Sequence, residues 1–194
     1  MDIHTSRLLQ FFQQGPFPAQ QALDIALLFT EKTVDKNELL LTAGQVSNEY
    51  LFLESGFMRA YVHDIEGREV TTNFMAPGNV VVEPSSFFNR VPTQENIQAL
   101  ENSTGWFITF EQLNHLFHAY PAFREFGRSI LVRVLTGLKD RTLSMITQTG
   151  EQRYQQLVRT NPTIFQHAPL KQIASYLGIT DSSLSRIRKE LSKK

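Results

Sequence analysis

The spacing of hydrophobic and polar positions changes twice along the chain. Apolar residues follow helical spacing over residues 7–14 and again over residues 18–29, with Gly15-Pro16 between them. From about position 38 to 110, short apolar runs alternate with polar turns that contain glycine. After position 110, apolar residues return to intervals of three and four. The pattern predicts short helices first, then a series of strands, then longer helices.

Short apolar runs in the middle of the chain predict the strands. They cover residues 38–41, 50–53, 57–62, 70–75, 79–82, 97–100 and 105–110. The turns between them include Ala43-Gly44-Gln45, Glu54-Ser55-Gly56 and Ala76-Pro77-Gly78, with a hairpin tip at residues 64–69. Many short strands at a spacing of about 8–12 residues are typical of an all-β sandwich or barrel.

A long helix is predicted from Pro121 to about Thr147, after a shorter helix over residues 111–120. Its apolar stripe consists of Phe123, Phe126, Ile130, Val134, Leu138 and Met145, widened by Leu131 and Leu135. So broad a stripe predicts packing on the β domain on one side and on a second copy of the chain on the other. We therefore expect a homodimer through residues 121–147; a helix internal to a monomer is the alternative. Gly150, just beyond this helix, is predicted to be a hinge.

Charge is distributed unevenly, although the formal net charge is zero. Residues 1–149 hold eleven Lys/Arg and sixteen Asp/Glu, whereas residues 150–194 hold eight and three. A basic end on an acidic body favours binding to a polyanion. A solvated surface with a chance asymmetry of charge is the alternative interpretation.

The sequence contains no cysteine. Disulfides, thiolate metal sites and cysteine-ligated iron–sulfur clusters are therefore excluded, and a reducing cytoplasm is compatible with the composition. The N-terminus lacks a basic segment followed by an apolar run, and no stretch reaches the length of a membrane span. A cytoplasmic protein without a membrane partner is expected.

Residues 170–191 have the spacing of a helix-turn-helix. Ala174 is small where two helices would cross closely, and Gly178 suits a left-handed turn after the first helix. Thr180 or Asp181 can cap the second helix. The predicted small core consists of Ile173, Leu177, Ile179, Leu184, Ile187 and Leu191. A plain helical hairpin is the alternative.

The polar face of this segment predicts contact with double-stranded DNA. Arg186 is the candidate for a two-bond contact to guanine, because its guanidinium fork fits that base edge. Arg188, Lys189, Lys193 and Lys194 are expected to meet phosphates. The predicted DNA-binding residues are Lys171, Gln172, Ser182, Ser183, Arg186, Arg188 and Lys189.

The order of β domain, long helix and helix-turn-helix resembles the Crp/Fnr superfamily of transcription regulators. The residues that carry the resemblance are Ala43-Gly44-Gln45, residues 50–56, Gly67, Ala76-Pro77-Gly78 and residues 172–191. It implies an α+β chain with a cyclic-nucleotide-binding-type jelly roll (1–120), a dimerisation helix and hinge (121–149) and a DNA-binding domain (150–194). Since the chain stops at Lys194, the helix-turn-helix is expected to lack a complete β-hairpin wing.

Two segments depart from the family pattern. Glu83 matches the carboxylate of the family's phosphate-binding cassette, but Thr93, followed by Gln94, stands where the cassette has its arginine. Without that cation, a cyclic phosphate would meet only weaker neutral donors, although Arg90 is close in sequence. We therefore expect an unknown small effector rather than cyclic AMP in its usual mode. The candidate effector-binding residues are Glu83, Ser85, Ser86, Arg90, Thr93 and Gln94.

The second departure is in the recognition helix, where Asp181 and Ser182 replace an Arg-Glu pair of the family. The preferred DNA sequence is therefore expected to differ from that of the family. Arg186 is the only residue to which the resemblance assigns a contact with a base.

Other functions are less well supported by the sequence. His115 and His118 lie one helical turn apart, a spacing that can hold a metal but more often marks a polar helix face. A cupin-type enzyme needs several histidines in its strands, and only His63 lies there. No catalytic group stands out, so neither enzymatic activity nor a metal is predicted. A cyclic-nucleotide-binding or orphan-ligand sensor with little or no DNA binding remains the alternative function.

Overall fold

The computed structural model describes residues 1–192. After a 3-10 turn at Ile3–Thr5, the helices are α1 (Arg7–Gln13), α2 (Ala19–Ala26), α3 (Pro84–Asn89), α4 (Phe110–Ala119), α5 (Pro121–Thr147), α6 (Gly150–Thr160), α7 (Ile164–His167), α8 (Leu170–Tyr176) and α9 (Asp181–Leu191). The strands are β1 (Thr30–Val34), β2 (Leu39–Leu41), β3 (Glu49–Ser55), β4 (Met58–His63), β5 (Glu69–Met75), β6 (Val80–Val81), β7 (Asn96–Ala99) and β8 (Ser103–Thr109).

The strands form two four-stranded sheets, with the orders β1-β8-β3-β6 and β2-β7-β4-β5. β8 pairs antiparallel with both β1 and β3, so that Phe107 lies between Thr30 and Leu51. The predicted β sandwich followed by a long helix is confirmed. β1 was not expected, because Thr30–Val34 has no apolar run and only Val34 is buried. Its pairing with β8, rather than its own hydrophobicity, holds it in the sheet.

The chain folds into two compact units, each held together mainly by contacts within itself. The first comprises residues 1–59 and 75–132, and the second comprises residues 60–74 together with the chain from position 133 onward. The tip of the β4–β5 hairpin is thus grouped with the C-terminal helices. The three-segment division derived from the sequence stays a prediction.

The core of the first unit combines one sheet with α1, α2, α4 and the start of α5. Phe123 is buried, and its ring lies 5.2 Å from Phe117 and 6.2 Å from Phe12. The first part of the α5 stripe therefore packs inside this unit, as predicted for one side of the helix. Glu54 joins α1 to the sheet, because its carboxylate accepts hydrogen bonds from the Arg7 backbone N–H (2.7 Å) and from Trp106 Nε1 (3.2 Å).

Two glycines determine how closely the helices of the second unit pack. Gly178 has φ +64°, and a Cβ there would lie 2.5 Å from Cε of Met145. Gly150 is the first residue of α6, after Thr149, which forms a capping box with Gln152. A Cβ on Gly150 would lie 2.7 Å from Cγ2 of Ile179. Gly150 therefore allows close packing, and the helical path breaks just before it. That Gly150 is a hinge stays a prediction.

Candidate DNA interface and effector cassette

Glu83 caps the cassette helix α3. Its carboxylate accepts hydrogen bonds from the backbone N–H groups of Ser85 (3.1 Å) and Ser86 (2.6 Å). Both carboxylate oxygens therefore satisfy N–H groups that the first helical turn leaves without partners.

Ser86 is fully buried and links the cassette to the β2–β3 loop. Its hydroxyl accepts a hydrogen bond from the Ser47 backbone N–H (2.8 Å) and donates one to the Val91 carbonyl oxygen (2.6 Å). Ser85, by contrast, is exposed. Of these two candidate residues, only Ser86 holds parts of the chain together.

Ser86→Ala is expected to lower the free energy of unfolding by about 1–3 kcal/mol, because the buried Ser47 N–H and the Val91 carbonyl oxygen both lose their partner. Chemical denaturation followed by circular dichroism measures the change. The matched control is Ser85→Ala, expected within about 0.5 kcal/mol of wild type because its side chain is exposed. Equal effects of the two substitutions would contradict this role for Ser86.

The Arg90 guanidinium is engaged by its own unit. Nη1 donates to the carbonyl oxygens of Ser47 (2.7 Å) and Phe87 (3.3 Å), and Nη2 donates to Oδ1 of Asn48. The group also lies 4.8 Å from the centre of the Phe110 ring. Arg90 therefore fixes the β2–β3 loop, and these contacts do not direct its charge toward the Thr93 position.

Thr93 is buried and satisfied locally. Its hydroxyl oxygen accepts a hydrogen bond from the Glu95 backbone N–H (2.9 Å), and its own N–H donates to the Gln45 carbonyl (2.8 Å). Gln94 beside it is exposed. The six candidate effector residues are thus spread along the cassette, and their polar atoms are used largely for its internal structure.

A cavity of about 160 Å³ lies nearby, lined by Leu40, Leu41, Gln45, Val46, Ser47, Asn48, Glu49, Val81, Val82 and Ile97. None of the six candidate residues lines it. On its wall Glu49 forms an ion pair with Lys32 (2.6 Å), while burial raises the pKa of the adjacent Tyr50 to about 12, so this phenol stays neutral. The sequence reasoning missed the β2–β3 loop as cavity lining; the turn Gly44-Gln45 was the signal at hand.

The helix α9 has a capped N-terminus and one buried face. Thr180 is the N-cap, and its hydroxyl accepts a hydrogen bond from the Ser183 backbone N–H (3.2 Å). Leu184 and Ile187 are buried, while Ser182 and Arg186 are exposed. One face of α9 therefore packs on the small core, and the other is open to solvent.

The cations of α9 are Arg186, Arg188 and Lys189, and all three are exposed. Within residues 1–192, none of them makes an ion pair or a side-chain hydrogen bond. Exposed cations without internal partners can neutralise phosphates without first breaking internal contacts. Lys171 is also exposed, whereas Gln172 is half-buried. The predicted phosphate contacts of Lys193 and Lys194 lie outside the described residues.

Arg141 joins the β4–β5 hairpin to α8, a contact that the sequence did not indicate. Its guanidinium donates to the carbonyl oxygens of Thr72 (2.5 Å) and Tyr176 (3.0 Å), and lies 3.9 Å from the centre of the Tyr176 ring. The Thr71 N–H donates to the Ser175 hydroxyl (3.1 Å). Within the second unit, the hairpin is therefore bonded directly to the first helix of the helix-turn-helix.

Of the paired histidines, His118 makes a contact within its own helix. Nδ1 of His118 lies 2.7 Å from the Asn114 carbonyl oxygen of its own helix. Within residues 1–192, His, Cys, Asp and Glu side chains form no cluster of three or more suited to a metal ion. None of the described helices combines the length and apolar character needed to span a bilayer.

Comparison with known proteins finds similarity to one domain family and to one curated regulator. Residues 31–120 match the cyclic nucleotide-binding domain family. Over 174 residues, the chain is 24% identical to the anaerobic regulatory protein of Pasteurella multocida (strain Pm70), and the match covers 84% of this chain. In sequence and fold, the chain is similar to members of the Crp/Fnr superfamily. The resemblance derived from the sequence is thereby confirmed.

Solved structures of Crp/Fnr proteins share the fold. FixK2 from Bradyrhizobium japonicum superposes with a TM-score of 0.74 at 16% identity, covering 85% of each chain. A CooA mutant from Carboxydothermus hydrogenoformans gives a TM-score of 0.70 at 19% identity, covering 97% of this chain and 85% of CooA. The chain spans 63% of the length of the Pasteurella protein. Its activity and partners are therefore inferred below from its own residues.

Proposed function

We propose that this protein, like the Crp/Fnr regulators that it resembles, is a DNA-binding transcription regulator that acts as a homodimer and responds to a small effector. The observation that carries the proposal is that Arg186, Arg188 and Lys189 of α9 are exposed and unpaired within residues 1–192, on a helix whose Leu184 and Ile187 are buried. Such a helix can enter the major groove with Arg186 at a base edge and the other cations at phosphates. No enzymatic step and no metal are part of the proposal, and action on DNA places the protein in the cytoplasm.

Dimerisation is supported by the second half of α5. Leu131, Leu135 and Leu138 are more than half exposed (61%, 64% and 57%), and their spacing of four and three residues places them on one face. An exposed apolar stripe on a helix of 27 residues is a surface that a second helix covers well. A dimer would present two recognition helices to the two half-sites of a palindrome.

The effector is proposed to bind in the jelly roll by contacts other than those of a cyclic phosphate to a cassette arginine. The candidate residues remain Glu83, Ser85, Ser86, Arg90, Thr93 and Gln94, with the cavity wall at residues 45–49 as a further part of the site. An effector that favours the DNA-bound state must itself bind more tightly to the protein–DNA complex. Effector and operator affinities are therefore expected to rise together.

Cyclic AMP is expected to bind with a Kd weaker than about 1 mM, because Thr93 supplies no positive charge and Arg90 is bonded to Ser47 and Asn48. Isothermal titration of the full chain measures the affinity. Micromolar binding that disappears in Glu83→Ala would contradict this prediction and restore the usual cassette mode.

Capture of genomic fragments by the purified protein tests the proposed function. Enriched palindromic sites, whose affinity falls steeply as salt is raised, are expected from a dimer that neutralises phosphates. No enrichment over bulk DNA, with or without a cell extract of small metabolites, would reject DNA recognition in favour of a sensor that does not read DNA.

A further inference from the structure

A separate cavity, of about 210 Å³, lies entirely within the C-terminal unit, between the second half of α5, α6 and the end of α8. Arg141, Arg153 and Asp140 supply the charged groups of its wall. The wall includes no residue of α9, so the cavity is distinct from the proposed DNA-reading face. It is also distinct from the jelly-roll cavity of the first unit.

Arg141 is held at this wall by neutral groups only. Its Nη1 and Nη2 donate to the carbonyl oxygens of Thr72 and Tyr176, and the Tyr176 ring lies against its plane. Within the described residues it has no carboxylate partner, and its Nε makes no hydrogen bond. The position of the guanidinium is therefore fixed while its charge stays uncompensated.

Arg153, also on the cavity wall, is held in the same way. Its Nε donates to the Leu177 carbonyl oxygen (2.9 Å), and its Nη1 donates to the Gln148 carbonyl oxygen (2.6 Å). In the described part of the chain, its Nη2 has no acceptor and no carboxylate pairs with it. Two half-buried guanidinium groups thus border one cavity, each with an N–H group still to satisfy.

The remaining wall fits a small oxyanion. Ser144, Gln156 and Thr160 add polar side chains, and Met145 and Leu157 add an apolar surface. Arginine forks match the oxygen geometry of phosphate and carboxylate groups, and charged hydrogen bonds of this kind are stronger than neutral ones. The volume is below the range of about 300–1,000 Å³ typical of pockets for drug-sized ligands, which favours a compact anion.

We propose that this cavity binds a compact phosphate-bearing metabolite, of the size of pyrophosphate or a small phosphate ester, between Arg141 and Arg153. Such an anion would bridge α5 and α6 and would supply the acceptors that both guanidinium groups lack. The carboxylate of Asp140, also on the wall, would repel the anion and so lower the affinity of the site for it.

Isothermal titration of the full chain with inorganic pyrophosphate tests the proposal. Wild type is expected to bind saturably, and Arg153→Gln to bind at least about tenfold more weakly, because a charged hydrogen-bond partner is lost. Asp140→Asn is expected to bind about three- to tenfold more tightly, because a nearby negative charge is removed. Asp140 is exposed, so this variant should fold like wild type.

Two control variants locate the bound anion. Arg90→Gln in the cassette and Arg186→Ala in α9 are expected to leave pyrophosphate affinity unchanged, since neither residue lines this cavity. Absence of saturable binding to wild type would overturn the proposal. So would an Asp140→Asn affinity no greater than that of wild type, or a loss of binding in Arg90→Gln. None of these three results bears on operator binding by α9, so the two proposals fail separately.

Discussion

Leu138→Asp is expected to convert the protein from dimer to monomer and to weaken operator binding by about a hundredfold or more. The substitution places a charge in the centre of the α5 stripe, where a second helix would have to bury it without a partner. A monomer binds only one half-site. In the dimer, binding of one recognition helix raises the effective concentration of the other at the second half-site, and the monomer loses this advantage. Because Leu138 is 57% exposed in the single chain, the fold itself should tolerate the change.

Sedimentation velocity gives the oligomeric state, and fluorescence anisotropy with an operator duplex gives the affinity. The control is Arg133→Asp, which introduces the same residue on the opposite face of α5, about 140° from Leu138 at 100° per residue. This control should remain dimeric. If both variants kept the wild-type oligomeric state, the proposed dimer surface would have to be abandoned.

Arg186→Ala is expected to weaken binding to the operator by about five- to a hundred-and-fiftyfold. This is the loss in affinity expected when one two-bond contact to guanine is removed. The loss should be confined to specific DNA, since a base contact adds little on random sequence. Arg186 is exposed and makes no bond within residues 1–192, so the unfolding transition should not move. Competition binding between operator and random duplexes measures the ratio.

Arg188→Ala is the matched comparison for that experiment. A residue that meets phosphate weakens binding to operator and random DNA alike and lowers the slope of log affinity against log salt by about one. If Arg186→Ala behaved in this way instead, its side chain would be a phosphate contact and another residue would read the base.

The helix-turn-helix could be predicted closely because its signals are local. Gly178 at the left-handed turn, Thr180 at the cap, and the spacing of Leu184 and Ile187 each depend on a few neighbouring residues. The long helix was equally clear, from Pro121 at its first position to the absence of any break before Thr147. Within such segments, periodicity and capping chemistry determine both the element and its buried face.

Contacts between distant segments lay outside what local patterns can show. β1 is a strand because β8 pairs with it, and Arg90 is engaged because Ser47 and Asn48, more than forty positions earlier, fold against it. The resemblance to the family pointed to the cassette residues, whereas part of the wall of the nearby cavity is formed by the β2–β3 loop. A family pattern indicates which residue types matter, while the chain's own packing determines which atoms remain available.

The sequence by itself determined the order of the elements, the helix-turn-helix with Arg186 on its open face, and the missing cassette arginine at Thr93. Each of these follows from periodicity, capping or residue identity within one segment. The tertiary structure decided that Gly150 is a packing position, that Arg141 binds the β4–β5 hairpin to α8, and that Arg141 and Arg153 border one cavity. These features depend on side chains brought together from far apart in the chain, and their positions are set by packing of the whole unit rather than by local sequence.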